Sequence, residues 1–137
     1  MAKESGLGMT VSVDDSGGSL RDISNDVTSV TISTPSGEQE ITGVDKSAVE
    51  RLLLLADGKV TLSGVFNDAA NMSHAVFKDY RTLFTAQVGR TVTIAHSGQT
   101  LSMEMLFTDY SLNRGADGSL TWSAPCVLSS GTVPAWS

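Results

Sequence analysis

The sequence has little of several features that define common protein classes. Of its 137 residues one is cysteine, 6% are aromatic and 18% are charged, below the roughly one quarter charged that is usual in globular proteins. A single cysteine, Cys126, excludes an intramolecular disulfide and favours a reducing compartment. No apolar run approaches the length of a membrane-spanning helix, and the start MAKESGLGMTVSV has no signal-peptide stretch behind its lysine. We therefore expect a chain made and kept in the cytoplasm unless it leaves by lysis.

A surplus of basic residues is also missing. The formal net charge is −6 and the isoelectric point is near 4.6. Such a surface lacks the cations that neutralise phosphates, which argues against tight binding of DNA or RNA and against docking on an anionic membrane. At 14.4 kDa, with 40% hydrophobic residues, the chain is predicted to form a single domain over residues 1–137.

What the sequence does contain is alternation typical of strands. In GKVTLSGVFND, residues 58 to 68, Val60, Leu62, Gly64 and Phe66 fall on one side, and Lys59, Thr61, Ser63, Val65 and Asn67 on the other. The same period of two predicts strands at Met9–Val13, Leu20–Ile23, Asp26–Thr34, Arg90–Ile94, Leu101–Leu112 and Ser119–Leu128. Five or six of these segments are expected to form strands.

Two helices are predicted between the strands. Ser47 and Glu50 have capping-box spacing, which predicts a short helix over Ala48–Leu55 with a buried turn at Leu52–Leu55. Ser73 is expected to cap a longer amphipathic helix that reaches Phe84 and is ended by Gly89. The expected fold class is α+β, mainly β, an antiparallel β-sandwich or barrel with one flanking α-helix.

Candidates for catalytic or metal chemistry are few. His74 and His96 have no Cys or His at ligand spacing, so ordinary cap or surface histidines are expected. Cys126 shares an apolar face with Trp122 and has no nameable base, and the Asp-rich turn at Asp14–Gly18 lacks the later ligands of a calcium loop. We predict no catalytic, cofactor or metal site, and no enzyme.

The repeated small hydroxyls are the remaining unexplained feature. They are Ser29, Thr31, Ser33, Thr61, Ser63, Thr91, Thr93, Ser102, Thr108, Thr121 and Ser123. They fit an ordinary solvated outer face, as in many one-sided sheets. They also fit a water-lined wall which, with Glu104 and a negative balance, repels a passing polyanion.

The order of these segments resembles the major tail tube protein of long non-contractile-tailed (siphovirus-type) bacteriophages. The resemblance rests on DISNDVTSVTI at Asp22–Ile32, DGKVTLSGVFND at Asp57–Asp68, the helix that follows, and LSMEMLFTDYSLNRGADGSLTWSAPCVLSSG at Leu101–Gly131. It spans about Met9 to Gly131. The helical leucine run between Pro35 and Asp57 has no counterpart in the family's usual loop.

The resemblance implies the phage tail tube fold and a virion structural role. Six subunits would form a hexameric ring, and stacked rings would form the conduit for genome delivery. Implied partners are further copies of the chain, tape-measure, tail terminator and distal tail proteins, and DNA in transient, non-specific passage. The implied location is the virion tail, after synthesis in the host bacterial cytoplasm.

Two sets of residues receive roles under this reading. Candidate lumen-facing residues are Lys59, Thr61, Ser63, Thr91, Thr93, Ser102 and Glu104, although alternation alone leaves open which hydroxyl face looks inward. Candidate ring-to-ring contacts are the termini and an exposed loop formed by Pro35, Ser36, Gly37, Glu38, Gln39 and Glu40.

Two alternatives remain open at this stage. The first is the tube protein of a related contractile-injection or type VI secretion system, which shares the fold and the ring. The second is a monomeric β-sandwich module that binds carbohydrate or protein, although Trp122 lies on the apolar side and Trp136 in a terminal tail.

Overall fold

One curled antiparallel sheet organises the chain in a computed structural model, which describes residues 3–84 and 89–137. Its strands are β1 (Thr10–Asp14), β2 (Leu20–Asp22), β3 (Val27–Ser33), β6 (Lys59–Val65), β7 (Arg90–His96), β8 (Gln99–Phe107), β9 (Ser111–Arg114) and β10 (Leu120–Leu128). They lie side by side in the order β2-β1-β7-β8-β10-β6-β3, with β9 beside β10. A separate hairpin pairs β4 (Ser36–Glu40) with β5 (Arg51–Ala56).

The alternation in the sequence corresponds to the two faces of this sheet. In β6, Val60 and Leu62 are buried while Lys59 and Thr61 are exposed, as predicted. All neighbouring strands are antiparallel, so directly paired residues share a face and the buried positions form one continuous core. The predicted strands at both ends of the chain and in its middle are confirmed, although more strands form than expected.

A short helix, α1 (Ser73–Phe77), closes the apolar side of the sheet. Phe77 is fully buried, and its ring centroid lies 5.1 Å from that of Phe107 and 5.0 Å from that of Trp122. The predicted fold class, mainly β with one flanking helix, is therefore confirmed. None of the helices in the described part of the chain has the length and apolar character needed to cross a membrane.

The helix is shorter than the predicted Ser73–Phe84. Arg90 is fully buried and donates hydrogen bonds to the carbonyl oxygens of Val76, Asp79 and Thr82. With the Val76 carbonyl bound by the guanidinium, the Tyr80 amide donates to the Phe77 carbonyl three residues back, and the helical ladder stops. Residues 85–88, which the prediction included before Gly89, lie outside the described residues. The predicted cap was also wrong, since the Ser73 amide donates to Asp26 Oδ2 at 3.0 Å.

The prediction for residues 35–56 was wrong. Residues expected to form a loop, Pro35–Glu40, provide β4, and those expected to form a helix, Ala48–Leu55, provide β5. The Glu50 amide donates to Thr42 Oγ1 at 2.8 Å across the hairpin, so the capping-box glutamate does not start a helix. A run of four leucines has neither helical nor strand periodicity and fits a strand equally well.

The segment Leu101–Leu112 was predicted as one strand but is interrupted. β8 ends at Phe107 and β9 begins at Ser111. Strand β10 pairs with β9 through Leu120–Ser123 and with β8 through Cys126–Leu128. Pro125 lies between the two ladders, and a proline has no amide hydrogen to continue either.

Candidate assembly surfaces

The candidate lumen residues all lie on the outer face of the one sheet. Direct cross-strand pairs place Thr91 opposite Glu104, Thr93 opposite Ser102, Thr61 opposite Thr31, and Ser63 between Ser29 and Ser123. Lys59 occupies the same face of β6, opposite Ser33 and Val127. The hydroxyls that alternation identified strand by strand thus lie on one face of the sheet, in a β7–β8 group and a β3–β6–β10 group, with Leu106 and Val127 paired between them. Whether that surface lines a channel stays a prediction.

Hydrogen bonds tie several of these side chains to each other. Thr91 Oγ1 donates to Glu104 Oε1, and the hydroxyl oxygens of Thr93 and Ser102 lie 3.3 Å apart. The other carboxylate oxygen, Glu104 Oε2, is buried and has no hydrogen-bond partner among the described residues. Among the candidate lumen residues Lys59 and Glu104 carry opposite charges, and the exposed Asp22 adds a carboxylate to the same face through the pairs Asp22–Ser12 and Ser12–Thr93.

The hairpin of residues 36–56, called the arm below, is the main exposed apolar feature. Leu53 and Leu55 are 80% and 89% exposed, and Leu52 and Leu54 are each 50% exposed. These leucines were expected to be buried, and that expectation was wrong because the arm extends from the end of the β3–β6 ladder and packs mainly on itself. The candidate ring contacts Pro35–Glu40 are exposed, as predicted, although they form a strand edge.

The two faces of the arm differ in charge. Leu53 pairs with Glu38, whose carboxylate lies 3.8 Å from the Arg51 guanidinium on the same face. The opposite face carries Leu52 and Leu54 with Gln39 and no charged side chain inside the two strands. A leucine run that is apolar on both faces is typical of a strand covered on both sides.

The two histidines and the cysteine, the residue types most often used in catalysis or metal binding, occupy structural positions. His74 Nδ1 lies 3.1 Å from the Tyr110 hydroxyl, and His96 Nε2 lies 2.6 Å from the Ser5 carbonyl oxygen. Burial raises the pKa of the Cys126 thiol to about 12. Within residues 3–84 and 89–137, no cluster of three His, Cys, Asp or Glu side chains is arranged to hold a metal ion.

Two buried polar residues were missed by sequence reasoning. Asp26 accepts hydrogen bonds from the side-chain amide of Asn67 at 2.9 Å and from the backbone amide of Ser73. These two bonds connect the residues beside β3 and β6 to the start of α1. Arg90 also forms an ion pair with Asp79 at 3.5 Å, and burial lowers the pKa of its guanidinium while Asp79 opposes the shift. Their partners are 8 to 76 residues away in sequence, so no local pattern identifies them.

Comparison with known proteins extends the fold across the whole chain. No protein-family model and no curated protein matches the sequence. Among solved structures, a chain in the virion of the native gene transfer agent particle is similar with a TM-score of 0.72 at 14% identity, over 98% of this chain and 99% of that one. A chain in the C6-symmetric tail of the empty gene transfer agent particle gives 0.71 at 15% identity, over 98% of each chain.

A third similar structure comes from a different particle. A chain in the six-fold symmetrised baseplate of the anti-feeding prophage gives a TM-score of 0.61 at 11% identity, over 100% of this chain and 97% of that one. At 11 to 15% identity, these similarities show the fold alone, and the role of the chain is argued from its surfaces. The chain thus has the mainly-β phage tail tube fold over essentially its full length.

Proposed function

We propose that this protein is a structural subunit of a phage-type tail, assembling with copies of itself into stacked hexameric rings that form a tube. The observation that carries the proposal is the arm. Its leucines are exposed on both faces in the single chain, and burying apolar area is the main driving force for association. The proposal includes a structural virion role, with DNA passing through the tube after assembly in a bacterial host.

The chains with similar folds support a repeating assembly. One belongs to a tail with C6 symmetry, and another to a six-fold symmetrised baseplate. Among the described strands β3 is the last of the sheet and pairs on one side only, and such an edge is an aggregation hazard in a protein that stays alone. In a ring, the edge is covered by the next copy.

The polar outer face of the sheet is proposed to line the channel. Serine and threonine hydroxyls hold water without the charge needed to bind phosphates, so DNA meets a hydrated wall with few cations. In a hexamer each lumen residue is repeated six times per ring. Small differences in its charge are therefore multiplied along the tube.

A second candidate function is the tube or baseplate of a contractile-injection system. The similarity to a chain of the anti-feeding prophage baseplate favours it. In that setting a sheath surrounds the tube and the cargo need not be DNA. A sheath gene beside the gene for this chain would select this candidate, while tape-measure, terminator and distal tail genes without a sheath would select the siphovirus type.

Electron microscopy of the purified protein tests the proposal. We expect rings about six subunits around, or tubes, as concentration is raised. A matched pair of variants links assembly to the arm, with Leu52→Glu expected to abolish rings and Lys46→Glu, in the polar tip of the same hairpin, expected to keep them. A protein that stays monomeric at high concentration, with no tubes in particles that contain it, would refute the proposal.

The lumen assignment has its own test. Glu104→Lys places six additional cations in each ring, attracts phosphates and should slow or stall DNA passage while rings remain intact. Asp117→Lys, at the exposed tip between β9 and β10, is the control with the same charge change. Unchanged infectivity of the Glu104→Lys particle would place this face outside the channel.

A further inference from the structure

A groove lies at the end of the sheet opposite the arm. It has a volume of about 380 Å³ and runs between the segment that precedes β1 and the first half of β3. Met9, Val27 and Val30 line it, and each packs on the core with its other side. Ser24, Thr28 and Ser29 add hydroxyls to the lining, and none of the described residues that line it is charged. It is therefore an uncharged, mainly apolar groove along β3.

We infer that this groove receives the uncharged face of the arm, Leu52 and Leu54, from a second copy of the chain. The inference rests on the proposed self-assembly and names the surfaces that meet. Two leucines on one strand face stand about 6.7 Å apart. A groove of about 380 Å³ is large enough to take two four-carbon side chains.

The absence of charge selects the face of the arm that enters. The Leu53 face carries Glu38 and Arg51, and placing them against Met9 and Val30 would remove two charges from water into an apolar site. The Leu52 and Leu54 face brings no charge with it. Its polar side chains within the paired strands, Gln39 and Ser36, are uncharged, and the groove lining offers them the hydroxyls of Thr28 and Ser29 as partners.

The connection between arm and sheet excludes docking within one chain. The ladder of β3 and β6 runs through the pair Ser33 and Lys59, continues with the Asp57 amide donating to the Pro35 carbonyl at 2.8 Å, and passes into the pair Ser36 and Ala56. Arm and groove thus lie at opposite ends of one ribbon, with about eight residues, or roughly 26 Å, between Val30 and Glu38. The arm of the same chain cannot fold back without breaking that ladder.

Complementary surfaces at opposite ends of one subunit give a head-to-tail contact. Such a contact propagates from copy to copy, closing into a ring or continuing as a filament. The second face of the arm, with Leu53 and Leu55, then remains free after the first contact has formed. This leaves a separate surface for a neighbouring ring.

Cysteine cross-linking tests the inference in the full chain. A variant with Met9→Cys and Leu54→Cys should form disulfide-linked multimers under mild oxidation, because a bridge requires Cα atoms within about 7 Å. The control is Met9→Cys with Leu53→Cys, which moves the thiol to the opposite face one residue away. We expect at least a tenfold greater yield of multimers for the first pair, with Cys126 buried and silent in both.

A second variant separates this contact from assembly in general. Met9→Glu puts a charge in the groove. We expect this variant to be folded by circular dichroism, monomeric by size-exclusion chromatography and unable to form rings, whereas Leu112→Glu on β9 keeps the rings. Equal cross-linking of the two pairs, an intramolecular bridge, a bridge to a different protein, or rings that survive Met9→Glu would each overturn the inference while wild-type rings uphold the proposed function. Absence of rings in the wild type would refute both.

Discussion

Replacing Gly64 with alanine tests how tightly the start of β3 is held against β6. A Cβ atom at Gly64 would overlap the Asp26 carbonyl oxygen and lie 3.0 Å from Val27 Cα. Both neighbours are backbone, so no side-chain rotation relieves the contact. The β3 register shifts at this point, between Val27 and Ser29, which is where a glycine permits close backbone approach.

The cost of the change has two sources. Overpacking in a close-packed interior costs about 1 to 3 kcal/mol, and here the backbone of Asp26 must also move. That movement weakens the hydrogen bonds that its carboxylate accepts from Asn67 and Ser73. We expect a loss of about 3 kcal/mol in the free energy of unfolding, or roughly 10 to 15 °C in Tm for a chain of this size.

Thermal and urea unfolding measure this loss directly. The matched control is Gly6→Ala, where no atom lies within 4 Å of the new Cβ, and its midpoint should not move. Two protein concentrations reveal any contribution of assembly, because only that part shifts with concentration. A Gly64→Ala protein within about 0.5 kcal/mol of wild type would refute the reasoning.

Three further predictions concern the buried groups and one carboxylate. Arg90→Met should cost about 3 kcal/mol or more, since three carbonyl oxygens lose their donor, and retention of wild-type stability in urea would contradict that role. Trp122→Ala should cost about 3 to 5 kcal/mol through a cavity beside Phe77, with Trp122→Phe costing clearly less in the same assay. The Ser24 hydroxyl and amide lower the pKa of Asp22, so its contribution to stability is present above about pH 4 and is lost as pH falls through the folded-state pKa. Asp22→Asn should therefore lower stability at pH 7 and match wild type near pH 2, and an equal difference at both pH values would count against it.

Much of the sheet could be predicted because strand alternation is a local property. Val60 and Leu62 against Thr61 and Ser63 assign a buried and an exposed face without knowledge of any partner strand. The same reasoning identified the hydroxyl positions, and antiparallel pairing then required them to lie on one surface. The closing turn before Ser119 was likewise readable from its glycines and Asp117.

The ends of α1 depended on distant residues. The amide of its first residue, Ser73, donates a hydrogen bond to the carboxylate of Asp26, 47 residues earlier. Beyond Phe77, Arg90 donates hydrogen bonds to the backbone carbonyl oxygens. Ser73, which was predicted to cap this helix, is therefore not the cap in the fold. Sequence patterns describe which bonds a helix end needs but not which distant group supplies them.

By itself the sequence determined the mainly-β class, the two faces of each strand and the small-hydroxyl surface, because side-chain direction in a strand reverses with every residue. Only the tertiary structure decided that Leu52–Leu55 belong to an exposed hairpin, that Asp26 and Arg90 fix α1, and that an apolar groove lies along β3. A leucine run is compatible with helix or strand, and its burial depends on what surrounds it, which one chain's local pattern does not specify.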